Sequence, residues 1–388
     1  VAVQGVSGAV EQHRAPSVAR IDLAAYRHNL GVVRRCAPKA RILASVKADA
    51  YGHGLVPVAR AALDADAHGL GVATIDEGIA LRRAGITAPV LVLFQPAPGH
   101  LDEVVVHGLE LMIADVDAAE ALGKIARETN RSAAVHCHID TGMGRQGFAP
   151  ARAAEEIARV AAVPGLSLAG VATHFPTAED PDDAFTRDQI ARFTAIVGAI
   201  RDRGVAVPCV HAANSAAIVN YPEAAFDMVR PGIMTYGVWP SSTVPDPCPL
   251  LPVMHWETRI TQIRDLEAGH GVSYGRSYVS ESGMRTAVLP VGYADGYRIG
   301  YSNCAHVLIR GKRCPVRGRV CMDQTVAEIT HVPEAATGDA VLLLGANGLG
   351  AIHAEELALH AGTIPYEVFT AVGNRVPRLY ENEARHDR

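Results

Sequence analysis

A lysine, an arginine, a tyrosine and a pair of histidines could do chemistry together, although they lie far apart in the 388-residue chain. Lys47 closes the apolar run RILASV and is followed by Tyr51, Gly52 and Gly54. A lysine at the carboxyl end of a barrel or open-sheet strand is placed to hold a carbonyl cofactor as a Schiff base, because strand ends carry the catalytic groups of such folds. Taken alone, it reads more simply as a surface lysine snorkelling off a strand end.

Such a cofactor needs more than its lysine. A phosphate asks for backbone N–H groups at a glycine-bearing turn together with hydroxyl donors. Asn214-Ser215 and Pro231-Gly232-Ile233 supply two such turns, and Tyr51 a further hydroxyl. Arg230 is expected to face a pyridine nitrogen. A guanidinium stays charged and only donates, so the nitrogen remains unprotonated and carbanion delocalisation is restrained. That suits removal and return of a proton at Cα. Inversion there needs a base on each face, and Lys47 serves one. Tyr274, in VSYGRSY, is the candidate for the other. A phenol near its reference pKa of about 10 is a poor base at neutral pH, so a neighbour must share its proton, and His174 is that candidate.

These groups must be positioned by a scaffold. Eight apolar runs, RILASV, HGLGVAT, APVLVLF, LELMIAD, AAVHCHID, LSLAGVATHF, VPCVHAA and FDMVRPGI, alternate with helix-like stretches such as 77–84, 116–129, 151–160 and 187–203. This is the pattern of an α/β fold, a (β/α)8 barrel with functional residues at the strands' carboxyl ends. Lys47, Thr74, Asp140, His174, Asn214 with Ser215, and Arg230 stand at those ends. After the proline-rich connector SSTVPDPCP the texture turns to short strand-like runs with glycine turns. The expected division is a cofactor-binding barrel over 17–240 and a mostly β domain over 250–381 that supplies the second base.

Composition excludes other classes. A net charge of −5 without basic blocks is not the footprint of a nucleic-acid binder, and a small-molecule partner fits better. Seven scattered cysteines without a C-x-x-C pair read as a reducing compartment. No apolar run is long enough to span a bilayer, and the first sixteen residues lack the basic and apolar regions of a leader, so a cytoplasmic location is expected.

In order along the chain, SVKADAYGHG, IDTGMGRQGF, THFPTAED, HAANSAA, MVRPGI, GVSYG, PVGYADGY, RVCMDQT, IPYE and RVPR resemble the alanine racemase family, fold-type III enzymes that use pyridoxal 5′-phosphate. The resemblance implies that Lys47 holds the cofactor and acts on the D-isomer, and that Tyr274, from the other subunit of a homodimer, acts on the L-isomer. It places Tyr51, Ser215, Gly232, Ile233 and Tyr366 at the phosphate, Arg230 at the pyridine nitrogen, His174 beside the catalytic tyrosine and His211 near the arginine. Arg145 is implied near the phenolic oxygen and the substrate carboxylate, and Met322 is implied to offer that carboxylate a backbone N–H. Tyr366 and Tyr274 narrow the entryway, which favours a methyl side chain. Supply of D-alanine for cell-wall peptide is the implied role.

One position departs from the family. Many members carry a carbamylated lysine two residues before the Asp of DTGMGR, and here that residue is His138. A neutral imidazole accepting from Arg145, or a bound anion such as chloride, replaces the missing charge; an imidazolium would repel the arginine. His138 is therefore expected to be neutral. Rival readings use the same residues differently. Metal-dependent hydrolysis would recruit His136, His138, His174, His211 and Asp140 but leaves Lys47, Arg230 and Tyr274 unused. A non-catalytic cofactor-binding protein has no need of Tyr274. A decarboxylase would be expected to set a carboxylate at Arg230. A racemase of broader specificity, for serine or other small amino acids, is the nearest alternative.

Overall fold

The computed structural model describes residues 15–240 and 249–382, so Ser241–Cys248 of the proline-rich connector lie outside the described residues. The chain forms two compact units. In the first, bounded by Ile21 and Met254, eight parallel strands close a barrel. They are Arg41–Ser45, Gly69–Val72, Val90–Val92, Glu110–Ile113, Ala133–His138, Leu166–Ala172, Val210–His211 and Met228–Val229. Each lies within one of the eight apolar runs. Closure is direct, since Arg41 pairs with Met228, and His211 pairs with Met228 from the other side.

Apolar residues on both faces make these strands, because one face packs the barrel interior and the other the helices. Leu43, Leu91, Met112, Ala172, Cys209 and Met228 form an interior cluster. The helix Val116–Glu128 buries Val116, Ala119, Leu122, Gly123 and Ala126, a three-to-four spacing that lays one stripe on the sheet. Asp115 starts it by accepting from Ala118 N–H at 2.7 Å. The helix Ile75–Arg83 begins with a capping box, Thr74 to Glu77, as T-x-x-E before an apolar residue signals.

The second unit is mostly β. Its larger sheet runs in the order Lys312–Pro315, His306–Ile309, Ala340–Ala346, Met254–Arg259, Ser17–Asp22, Arg378–Glu381, with Ala351–Ile352 paired to Ala340–Ala346. A three-stranded sheet joins Gln262–Leu266, Met284–Leu289 and Thr325–Glu328. Two features escape a reading by apolar runs. The late part of the chain also contains the helices Ala354–Ala361 and Pro365–Ala371. Of these residues, Ile364–Thr370 pack with the barrel unit rather than with the β sheets around them in sequence.

Candidate active site

Lys47 follows the first barrel strand by two residues and opens a turn of unusual hand. Ala48, Asp49, Ala50 and Tyr51 all have φ near +53° and ψ between 38° and 53°, so the turn from Lys47 to Tyr51 is left-handed. L-residues resist this conformation by roughly 1–2 kcal/mol each. Several hydrogen bonds hold it: Ala50 N–H to the Val46 carbonyl at 2.8 Å, Gly54 N–H to the Asp49 carbonyl at 2.9 Å, and Asp49 N–H to Glu77 Oε1 at 3.2 Å. The turn sets the Tyr51 ring on that of Tyr236, with centroids 4.6 Å apart, while Tyr236 Oη donates to the Ser45 carbonyl.

One cavity at the carboxyl end of the barrel is lined by Lys47, Tyr51, His138, Arg145, His174, Asn214, Ser215, Arg230, Gly232, Ile233 and Tyr366. The remaining lining residues are Ser45, Leu93, Phe94, Met112 and Gln146. The lining thus carries three cationic side chains and no carboxylate, so the cavity is built for anionic groups. Asn214 caps the helix Ser215–Asn220 by accepting from Ala217 N–H at 3.0 Å. Ser215 Oγ accepts from Gly232 N–H at 2.9 Å, which ties the two glycine- and hydroxyl-bearing turns together. A Cβ at Gly232 would lie 2.5 Å from Tyr51 Oη, so only glycine lets the backbone approach that hydroxyl.

Arg230 is buried among acceptors. It donates to His211 Nδ1 at 2.7 Å, to the Thr173 and Ala212 carbonyls at 2.7 and 3.0 Å, and to His174 Nδ1 at 3.4 Å. Burial, with Arg145 adding to it and Cys209 opposing, lowers its pKa to about 10, which leaves it charged at neutral pH. Burial first and then the Arg230 and Arg145 charges hold His174 well below the usual histidine range. The same causes push His138 down to about 3, against a smaller pull from Asp140, so its imidazole is neutral at neutral pH. The Lys47 ammonium is disfavoured by burial, then by Arg145 and Arg230, with Glu77 opposing.

Behind the cavity, His211 Nε2 meets His136 Nδ1 at 2.9 Å, and His136 Nε2 meets Glu110 Oε2 at 3.1 Å. Two of the histidines a metal site would recruit are spent on each other, and Asp140 Oδ1 accepts from the N–H groups of Gly142 and Gly144. Among the described residues no group of three or more His, Cys, Asp or Glu is arranged to hold a metal.

Tyr274 and Met322 belong to the second unit. Tyr274 opens the short turn Tyr274–Arg276 and is 69% exposed; Met322 is 52% exposed. The Met322 carbonyl accepts from Ala294 N–H at 3.0 Å, and the Cys321 carbonyl from Tyr293 N–H at 3.0 Å. Gly292 permits this bracing, because a Cβ there would fall 2.2 Å from the Cys321 carbonyl oxygen. The lining residues Ser45, Leu93, Phe94, Met112 and Gln146, and Glu110 behind the cavity, escaped the sequence reading. Phe94 hides inside the apolar run APVLVLF, and Glu110 reads as an ordinary polar strand edge; neither carries a local signal.

Two family models match, alanine racemase N-terminal domain over residues 21–240 and C-terminal domain over residues 253–380. The chain is 44% identical to an alanine racemase of Symbiobacterium thermophilum, over 95% of this chain and 98% of that one. It superposes on the alanine racemase from D-cycloserine producing Streptomyces lavendulae with a TM-score of 0.92 at 36% identity, covering 96% and 98% of the two chains. An alanine racemase from Bartonella henselae with covalently bound pyridoxal phosphate is similar at 26% identity and a TM-score of 0.86, covering 95% and 100%. Together with the barrel and its lysine- and arginine-bearing strand ends, these matches over nearly the whole length place the chain in the alanine racemase family.

Proposed function

We propose that the chain interconverts L-alanine and D-alanine with pyridoxal 5′-phosphate, using Lys47 and Tyr274 as acid–base groups on opposite faces of Cα. The observation that carries this reading is the cavity itself, which brings Lys47 together with Arg145 and Arg230 and has no carboxylate among its lining residues. The residues fit the cofactor. Ser215, Gly232, Ile233, Tyr51 and Tyr366 form a cradle whose closest point, at Gly232, a Cβ would fill. Lys47 Nζ would hold the cofactor covalently, and its disfavoured ammonium leaves more free amine for that bond. When bound, the cofactor supplies an electron-accepting ring that acidifies the hydrogen on Cα of an attached amino acid.

The chain's own residues then divide the work. Lys47 Nζ takes or returns the proton on one face, and Tyr274 Oη on the other. Arg230 would stand at the ring nitrogen; a guanidinium only donates, so it would leave that nitrogen without a proton and restrain side reactions. Because Arg230 only donates, His174 Nδ1 accepts and the ring's proton sits on Nε2, where it can hydrogen-bond the Tyr274 oxygen and favour its ionised form. Arg145 receives the substrate carboxylate, with the Met322 N–H as second donor, and binds an anion such as chloride between turnovers. The active unit is a homodimer in which Tyr274 and Met322 of one copy complete the cavity of the other; their exposure in the single chain supports this.

The reading extends to a cytoplasmic enzyme that supplies D-alanine for cell-wall peptide. The free thiols of Cys137, Cys209, Cys304, Cys314 and Cys321 support a reducing location, and among the described residues no helix is long and apolar enough to cross a membrane. The test has two stages. Visible absorbance bleached by borohydride, with the reduced cofactor left attached to Lys47 and that label lost in Lys47→Ala, establishes the covalent hold. Solvent deuterium entering Cα of both alanine enantiomers, with chiral analysis of a substrate panel, establishes racemisation; faster exchange into serine than alanine would move the substrate assignment.

A further inference from the structure

The loop that carries Arg145 leans on the end of the third barrel strand. Asp140 Oδ1 accepts from Gly142 and Gly144 N–H at 3.0 Å each and shapes the loop. Gln146 Nε2 donates to the Leu93 carbonyl at 3.4 Å. The Arg145 guanidinium makes no hydrogen bond or ion pair among the described residues, and it rests on the ring of the next residue, Phe94, with Cζ 5.1 Å from the centroid. Lys47 Nζ stands 5.3 Å from the same centroid.

Phe94 therefore lies beside the Arg145 guanidinium and the Lys47 amino group in a cavity without a carboxylate. Arg145 shares that cavity with the buried charge of Arg230, and like charges repel. A carboxylate beside them would relieve the repulsion but would also occupy the Arg145 donors. An aromatic face attracts a guanidinium through its quadrupole, adds no net charge and accepts no strong hydrogen bond. His138, buried and neutral, supplies no counter-charge.

We infer that Phe94 is a positioning residue of the racemase: its ring supports the Arg145 guanidinium in place of a counter-charge and leaves the Arg145 donors free for a carboxylate. The inference rests on the racemase reading above.

The test compares Phe94→Leu, which keeps apolar bulk without the ring, with Phe94→Tyr, which keeps the ring, in the full chain carrying its cofactor. Phe94→Met stands in where Phe94→Leu lowers the folded fraction. Two readouts are taken, the kcat and KM for alanine and the rate at which phenylglyoxal modifies Arg145, followed by peptide mass spectrometry. Phe94→Leu raises KM about three- to fivefold, as expected for an exposed cation–π contact, with a smaller change in kcat. It also speeds Arg145 modification, and Phe94→Tyr recovers both. In an Arg145→Ala background, Phe94→Leu adds nothing further to KM. Wild-type KM and labelling in a folded Phe94→Leu protein overturn the inference, as does a KM effect that persists in full without Arg145. If the unaltered chain does not racemise alanine, the functional reading falls instead, and the labelling arm alone decides the Phe94–Arg145 contact.

Discussion

His136 Nδ1 and His211 Nε2 face each other at 2.9 Å inside the barrel, and the direction of the proton between them is set from outside the pair. Arg230 can only donate, so His211 Nδ1 accepts and its proton lies on Nε2. That proton points at His136 Nδ1, which accepts in turn, and His136 Nε2–H is left to donate to Glu110. A one-way row of donors thus runs from the arginine of the cavity to a carboxylate at the start of the fourth strand.

The row fixes two tautomers. Nitrogen NMR of histidine-labelled protein is expected to place the proton of His211 and the proton facing Glu110 on His136 at Nε2 in both cases. A proton on His136 Nδ1 would contradict the assigned direction.

Glu110 anchors the far end. Burial raises its pKa, and the His136 hydrogen bond with the His136, His68 and Arg82 charges outweighs burial, so the net shift is downward. A depressed carboxyl pKa contributes stability that is present above the unfolded value and lost as pH falls through the folded one. Glu110→Ala strands a buried N–H and is expected to cost about 1–3 kcal/mol, seen as a lower denaturant midpoint. Glu110→Gln keeps an acceptor and costs less, and both variants flatten the acid limb of stability against pH.

Arg145 depresses the Lys47 ammonium behind the larger effect of burial, and Glu77 opposes it. Arg145→Leu is therefore expected to raise the Lys47 pKa and move the acid limb of cofactor capture to higher pH. Glu77→Gln moves it lower. The measurement is the rate at which visible absorbance forms when pyridoxal 5′-phosphate is added to cofactor-free protein across pH.

Gly232→Ala sets a methyl carbon 2.5 Å from Tyr51 Oη. The hydroxyl and the turn must part, at a cost of about 1–3 kcal/mol that falls on the cradle. Cofactor retention on dialysis drops, while the fold, read by circular dichroism, stays.

Under the proposed function, Tyr274→Phe removes one of the two proton carriers. Racemisation is expected to fall by about 10²- to 10⁴-fold, the usual weight of a general acid–base group. Deuterium exchange on the Lys47 face continues, so one enantiomer should still wash in label; equal residual rates for both would give the second face to another group.

Much of this was legible in sequence because alternation of apolar runs with helical stretches is a global pattern, and a polar residue ending such a run marks a strand end. Lys47, Ser215 and Arg230 were found in this way. Phe94 was not, since an aromatic residue closing an apolar strand looks like core until its cationic neighbours are placed. Glu110 and His136 act through partners on other strands, and pairing across a barrel leaves no trace in local spacing. Tyr366 sits in the late part of the sequence, yet its segment packs with the barrel unit, which only tertiary structure reveals. The hand of the turn after Lys47 was hidden too, because KADAY is composed mostly of good helix formers.

That turn carries a stereochemical consequence. Ala48 and Ala50 hold the backbone angles that a D-residue adopts without strain. A semisynthetic chain with D-alanine at these two positions should relax the segment while keeping Lys47 and Tyr51 in place, whereas the natural L-residues are held against their preference by Val46, Asp49 and Glu77. The segment that presents Lys47 is thus built in the mirror sense of the rest of the polypeptide.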